Sequence, residues 1–450
     1  MTHPHQRNPS RQLQHLGLSI LPYLLFAVTL ITSLQLCATV VGVSVAAPSL
    51  TQERIERLPK PQRSVWTAYL ERSVQQAERD RAALAVERKG LATIPPAPKE
   101  GGFGGSMPMD RAAAWYAKPE ARHIGDVIVS FQTPGGGWSK NMSMSGAIRT
   151  PGQSYAANNV SRFLSPSDFD VPRDPQWNYI STLDNDSTST QIQFLARLST
   201  SNPGPVGTPY RTACVRGLHY LLDAQFPNGG WPQVWPLEGS YHDAITFNDN
   251  AVTLAATALT DAANATGNFS FVPPELRKQA AAASDRALEC ILATQIIVDG
   301  KRTVWAQQHD ALTLEPVSAR NYEPAALSSG ESADILLDLM SLPNPSPKVQ
   351  ASIHAGVKWL NVHAVYGQAY TGDRAAGRRL VPAPGAGAIW ARYYSLTTSK
   401  PIFSDRDKTI HDDVNELTLE RRNGYSWWNN GPKRALDAYA DWSKTHQQAP

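Results

Sequence analysis

The sequence predicts an all-α protein in which helical hairpins are arranged in a ring, joined by long polar loops. Three observations lead there. After about residue 106 the chain reads as helices whose apolar residues recur at spacings of three and four, with little strand-like alternation. One unit returns along the chain: an apolar helix end, a Gln, a Gly-containing turn, then a Trp. Finally, three helices open with clusters of acids, amides and hydroxyls, which brings their N-termini to one mouth if they share a layer of the ring.

The chain has 450 residues, 42% of them apolar and 18% charged, enough for a large core and against global disorder. The net charge is +3, and no Lys/Arg run is dense enough to track a phosphate backbone, so nucleic acid is not an expected partner. A polyanionic substrate is compatible with that charge.

Arg7 and Arg11 precede an apolar stretch from Leu16 to Ala47, closed by small residues and followed by Pro48. Residues 1–47 therefore read as a signal peptide cleaved near Ala46 or Ala47. The stretch is long for a leader, and an uncleaved membrane anchor is the alternative. The expected location is secreted or periplasmic, free of the membrane once the leader is cut. Cys214 and Cys290 would remain, as one disulfide or as two buried thiols. Residues 48–118 read as a charged helical extension followed by a Pro/Gly-rich linker around 95–105. Residues 119–450 form the expected main domain.

In that domain the recurring unit appears as IVSFQTPGGGWSK (128–140), LLDAQFPNGGWPQ (221–233) and ILATQIIVDGKRTVWAQ (291–307). The Gly ends a helix and the Trp packs back on it, or else the Trp meets a sugar ring. The polar helix starts are Thr182–Thr188 with Asp184 and Asn185, Thr246–Asn250 with Asp249, and Ser328–Ser332 with Glu331. Asp and Asn cap helices, which is one reading. The other is that Asp184, Asn185 and Asp249 converge as oxygen ligands for calcium. A second set is basic and aromatic: Arg320, Arg392, Arg406, Arg421 and Arg422, each beside Tyr, Trp or Phe. Guanidinium forks match carboxylates, although surface ion pairs are the plainer account, above all for Arg406 between two aspartates. His309 reads equally as a hydrogen-bonded core residue and as a catalyst, and is placed among the expected substrate contacts.

Taken in order, WSKN (138–141), TLDN (182–185), FNDN (247–250), TVW with QH (303–309), ARNYE (319–323), SDRD (404–407) and LERRNGYSW (419–427) resemble the pectate lyases of polysaccharide lyase family ten. The resemblance spans about 119–447. It implies an incomplete α/α toroid of three hairpins and a calcium-dependent β-elimination on unesterified polygalacturonate. It places Asp184 and Asp249 at the calcium and makes Arg320 the proton-abstracting base. Arg392, Arg406 and Arg422, or its neighbour Arg421, would bind uronate carboxylates, with Lys140 as a further basic contact. A monomer is expected. Asp186, Ser187 and Pro324 depart from the family's usual pattern.

An arginine base is chemically awkward, because its pKa exceeds roughly 12. Crowding by calcium and other arginines would lower it, and an alkaline optimum follows. Lys140 is the reserve base. Two rivals stand beside this reading: a toroidal glycoside hydrolase using Asp184 and Asp249 as its acid pair, and a non-catalytic uronate-binding protein of the cell surface.

Overall fold

The apolar stretches fold as helices and pair as expected. The computed structural model describes residues 39–101, 107–143, 146–157, 165, 167–174, 177 and 180–446. The N-terminal region gives α1 (Gln52–Glu56) and α2 (Lys60–Arg88), and α3 (Pro119–Ser130) follows. Three hairpins come next: α4 (Ser189–Ser201) with α5 (Thr208–Ala224), α6 (Ala251–Asn264) with α7 (Pro274–Ala293), and α8 (Ser329–Ser341) with α9 (Pro347–Val362). Short α10 (Leu419–Gly424) and α11 (Lys433–Trp442) end the chain, and α11 packs on α8 and α9.

The two layers of the ring start differently. Helices α3, α5, α7 and α9 each carry a proline in the first turn, where its missing N–H costs nothing. Helices α4, α6 and α8 start from polar turns; the first two turns line the site, and Glu331 of the third pairs with Arg392 in its wall.

The recurring Gln and Trp lock the ring. Trp138, Trp231 and Trp305 are fully buried, and each indole N–H donates to a carbonyl in or near the last turn of the preceding helix: Ile128, Leu221 and Ile291, at 2.7, 2.8 and 2.7 Å. Trp390 repeats the contact on Leu360 at 2.8 Å. Each buried indole removes enough apolar surface to contribute on the order of 4–6 kcal/mol of transfer free energy at most. The tryptophans are therefore packing elements and not sugar platforms. Each Gln bridges its own turn to the next hairpin. Gln132 donates to Gly136 and Ala213, Gln225 to Gly229 and Ala283, and Gln295 to Thr303 and Ser352. Gly229 has φ +96°, and a Cβ there would sit 2.0 Å from the Arg286 carbonyl, so the second turn requires glycine.

The loops hold more strand than the sequence suggested. Five antiparallel strands run in the order Val40–Val43, Thr409–His411, Pro401–Ser404, Tyr393–Tyr394 and Leu327–Ser328. At two to four residues each, they are too short to show alternation.

Residues 1–38, which carry most of the expected leader, lie outside the described residues. The expected cut at Ala46 or Ala47 falls in a packed segment. Val40–Val43 is an edge strand, the Ser318 hydroxyl donates to the Val45 carbonyl, and Ala47 is buried with Tyr241 and Ala319. The extension is helical as expected, but it is docked on the body. Tyr69 of α2 donates to the Ala224 carbonyl at 2.9 Å, and Trp66 lies 5.5 Å from the Phe226 ring. Among the described residues no helix is long and apolar enough to cross a membrane. Cys214 and Cys290 are buried free thiols.

Candidate active site

Asp184 and Asp249 come from short 3-10 turns just ahead of α4 and α6, at the same end of one layer. Neither helix start uses a side-chain cap: Thr188 and Asn250, the N-cap residues, make no such bond. The capping reading of these clusters is therefore corrected, and the acids are left for other partners. The turns hold Asn185, Asp186, Thr188, Asp249 and Asn250 at positive φ, between 49° and 64°. Asn and Asp tolerate this left-handed backbone better than most side chains, and the strain clusters at one place.

The two carboxyls meet in a hydrogen bond. Asn248 spans them, donating to Asp249 Oδ2 at 2.8 Å and to Asp184 Oδ1 at 3.4 Å. Gln233 donates to Asp184 Oδ1 at 2.9 Å, and the Lys140 ammonium pairs with Asp184 Oδ2. Burial pushes both acids up. At Asp184 the Lys140 charge and the hydrogen bonds outweigh burial and hold its carboxyl low, whereas at Asp249 the Asp184 charge adds to burial and drives it well above the usual carboxylate range. Asn185 donates its amide to Asn141 Oδ1 at 2.9 Å.

The basic wall faces these acids. Arg320 grips Glu323 with both ends of its fork, Nε to Oε2 at 2.9 Å and Nη2 to Oε1 at 2.5 Å. Its side chain is 38% exposed, while that of Glu323 is 2% exposed. Desolvation pulls the guanidinium down, but Glu323 overcomes it and raises the arginine well above its ordinary value. Glu323 in turn, pushed up by burial, is held at about 2 by Arg320 and by the Tyr425 hydroxyl, which donates to it at 2.6 Å. The sequence had suggested positive crowding around Arg320; Arg406 and Arg421 do stand near it, but a carboxylate is in direct contact as well. Tyr322 carries three guanidiniums around its ring, from Arg320, Arg406 and Arg421, at 5.0, 5.2 and 4.2 Å. Arg392 pairs with Glu331 at 2.6 Å and lies 4.8 Å over the Tyr425 ring.

These groups share one cavity of about 810 Å³. Lys140, Asp184, Asn185, Asp249, Arg320, Arg392 and Arg421 line it, so distant sequence positions do converge. Three expected residues do not line it. His309 is fully buried: its Nε2 accepts from Ala306 N at 3.2 Å, its Nδ1 bonds the Leu314 carbonyl at 2.8 Å, and burial lowers its pKa to about 4. It is a neutral core residue, which corrects its place among the substrate contacts. Arg406 is engaged by Glu420 at 2.9 Å. Between the two neighbours left open, Arg421 faces the cavity and Arg422 turns away beneath a hairpin. Sequence reasoning missed Gln233, Glu323 and Tyr425 as site residues. Gln233 closes the second Gly-Gly-Trp unit and Tyr425 sits in the arginine-aromatic run, so both were in view without a signal of role.

The acidic end fits a hard divalent cation. Two touching carboxyls that cannot both ionise without help are what such a cation relieves, and the neighbouring amides supply neutral oxygens. Among the described residues no third His, Cys, Asp or Glu joins them, so a bound ligand would have to complete the shell.

Comparison with known proteins agrees with this geometry. A profile described as pectic acid lyase matches residues 132–436. The chain is similar to a solved family 10 polysaccharide lyase from Cellvibrio cellulosa, with 31% identity over 74% of this chain and 95% of that one, and a TM-score of 0.62. It is also similar to an aspartate-to-alanine mutant of a family 10 polysaccharide lyase from the same organism, in complex with trigalacturonic acid, with 31% identity over 73% and 95% of the two chains and a TM-score of 0.61. No curated protein matches it.

Proposed function

The chain belongs to the pectic acid lyases, and from that premise we propose that it is an exported, monomeric, calcium-assisted eliminase of polygalacturonate that releases unsaturated oligogalacturonides. The observation that carries this reading is the hydrogen-bonded Asp184–Asp249 pair facing Arg320, Arg392 and Arg421 across one cavity. Acids suited to a cation and guanidiniums suited to carboxylates are the two things a polyuronide needs.

Asp184, Asp249 and the Asn185 amide oxygen would hold the calcium. When bound, it supplies the positive charge that makes the proton beside a uronate carboxylate more acidic. Lys140 and Gln233 orient Asp184 for that task. Arg392 and Arg421 bind uronate carboxylates and fix the chain's register. Arg320 takes the C5 proton. The C5–H electron pair becomes the C4–C5 double bond, the C4–O bond breaks, and the leaving oxygen takes up a proton. Water is not consumed.

Arg320 can accept a proton only as the neutral guanidine, and its contact with Glu323 opposes that state. Proton transfer therefore requires the pair to loosen or the pH to be high, which supports an alkaline optimum. The hydrolase rival is disfavoured by geometry: its carboxyls stand roughly 5 Å or more apart to flank a glycosidic bond, whereas Asp184 and Asp249 touch.

The test is ultraviolet detection of unsaturated product from polygalacturonate, with and without added calcium. Product that forms only with calcium in the wild type, and is lost in Arg320→Ala with binding retained, is expected. Saturated reducing ends without ultraviolet absorbance would refute elimination, and binding without turnover would leave a uronate-binding protein.

A further inference from the structure

Next to the reacting cavity lies a second one of about 730 Å³, and the two share Arg378, Asn423 and Gly424 in their walls. We infer that this second cavity is a distal subsite in which Arg378, with Arg374 beside it, holds a uronate carboxylate of the substrate chain remote from the bond that breaks. The inference rests on the polyuronide reading above and extends it to a part of the chain that reading does not use.

The support is a built hairpin. Strands Gln368–Thr371 and Arg379–Pro382 pair antiparallel, with Tyr370 opposite Leu380. Between them Asp373 accepts from the N–H groups of Ala375 and Ala376 at 2.8 and 2.7 Å. Asn423 of α10 clips the tip from both sides, accepting from Arg378 N at 3.2 Å and donating to the Arg374 carbonyl at 2.9 Å. Gly377, at φ +80°, lets the turn lie on α10: a Cβ there would come within 2.7 Å of Leu419 and 2.9 Å of the Arg422 guanidinium. The turn is thus fixed to the helix that carries Arg421. The Arg378 guanidinium rests 4.4 Å over the Tyr370 ring, and Tyr370 is itself tied to the Arg422 carbonyl at 2.7 Å.

Charge separates this arginine from the others. Arg320, Arg392, Arg406 and Arg421 each have a glutamate partner. Among the described residues no carboxylate lies within ion-pair reach of Arg374 or Arg378. Glu420 lines the cavity but is engaged by Arg406 and Arg421, and Asp373 by its own turn. Below the turn, Arg422 Nε and Nη1 are buried with no hydrogen-bond partner among the described residues. The local excess of positive charge is what a carboxylate from outside would neutralise, and an oriented fork on an aromatic face is suited to hold it.

The test compares affinities for a long oligogalacturonate and for trigalacturonate by calorimetry, in an Arg320→Ala background that spares the ligand from cleavage. Adding Arg378→Ala should lower the ratio of long-chain to trimer affinity about fivefold, the scale of one partly exposed charge pair. Arg378→Lys should recover part of it, and the difference should shrink as salt rises. An equal loss for both ligands would place Arg378 among the central subsites, and no loss for either would remove it from binding; both overturn the inference. Turnover by the wild type is measured in parallel. If it fails while the chain-length effect persists, the activity reading falls and the subsite stands.

Discussion

Replacing Glu323 with Gln should move the rising limb of the pH–rate profile to lower pH. Glu323 holds the Arg320 guanidinium through two bonds of 2.9 and 2.5 Å, and it is the group that most raises it above its ordinary value. Charge-assisted hydrogen bonds of this kind contribute about 1.5–3 kcal/mol. With the Arg320 side chain 38% exposed, solvent screening reduces that to about 1–2 kcal/mol. One pKa unit corresponds to about 1.4 kcal/mol, so the limb should shift down by roughly one unit. The sign follows from the charge removed: without the carboxylate the neutral guanidine is more populated at any given pH. Gln keeps the volume and can still accept the Tyr425 hydroxyl, although its amide meets the guanidinium less well, and a stability loss of about 1–3 kcal/mol should accompany the shift. The assay is kcat/KM for polygalacturonate at saturating calcium across neutral to alkaline pH, followed by the absorbance of the unsaturated product. A limb that stays in place or moves upward would refute Arg320 as the titrating base and direct attention to Lys140.

Three further outcomes are expected. Chelation with EDTA should abolish activity and lower the melting temperature; added calcium should restore both in the wild type and neither in Asp249→Asn, and activity that survives chelation would count against the cation. Gln225→Ala removes the bonds that tie Gly229 to Ala283 and the acceptor of Arg286, so it should cost about 1–3 kcal/mol in denaturant unfolding; no measurable loss would mean the Gln stitches are dispensable. A chain that begins at Pro48 loses the strand on Thr409–His411 and the support of Ser318, two residues before Arg320; compared with one that begins at Thr39, its kcat should fall about tenfold, and equal rates would show that the segment does not position the arginine loop.

The ring was legible because its signals are periodic. Gln, Gly and Trp recur with helix ends, and the physics that repeats them also fixes the tryptophans as packing elements through one indole-to-carbonyl bond each. The convergence of Asp184 and Asp249 was legible for the same reason, since helices of one layer start at one end. What they do there was not. Asp-Asn before a helix reads as a cap, and it takes the missing cap bonds and the positive φ values to show that the turns are bent away from capping. His309 could not be assigned because its partners are backbone groups, which sequence does not display. Glu323 was hidden because an acid three residues after an arginine in a loop carries no pattern until the loop closes. The N-terminal strand was not legible for a simpler reason: Val-rich and small residues suit a leader and an edge strand equally well.

The left-handed turns also govern how the acidic site can be probed. Asp249 and Asn250 sit at φ 49° and 58°, where a residue with a Cβ but no local hydrogen-bonding group costs roughly 1 kcal/mol or more. An alanine at Asp249 would delete the carboxylate and tighten the backbone penalty together, so its defect would exaggerate the importance of the charge. Asparagine changes the charge while keeping the shape, and glycine releases the backbone while removing the side chain. The step from aspartate to asparagine then reads what the cradle owes to its charge, and the difference between alanine and glycine, which both lack the carboxylate, reads what it owes to being held bent.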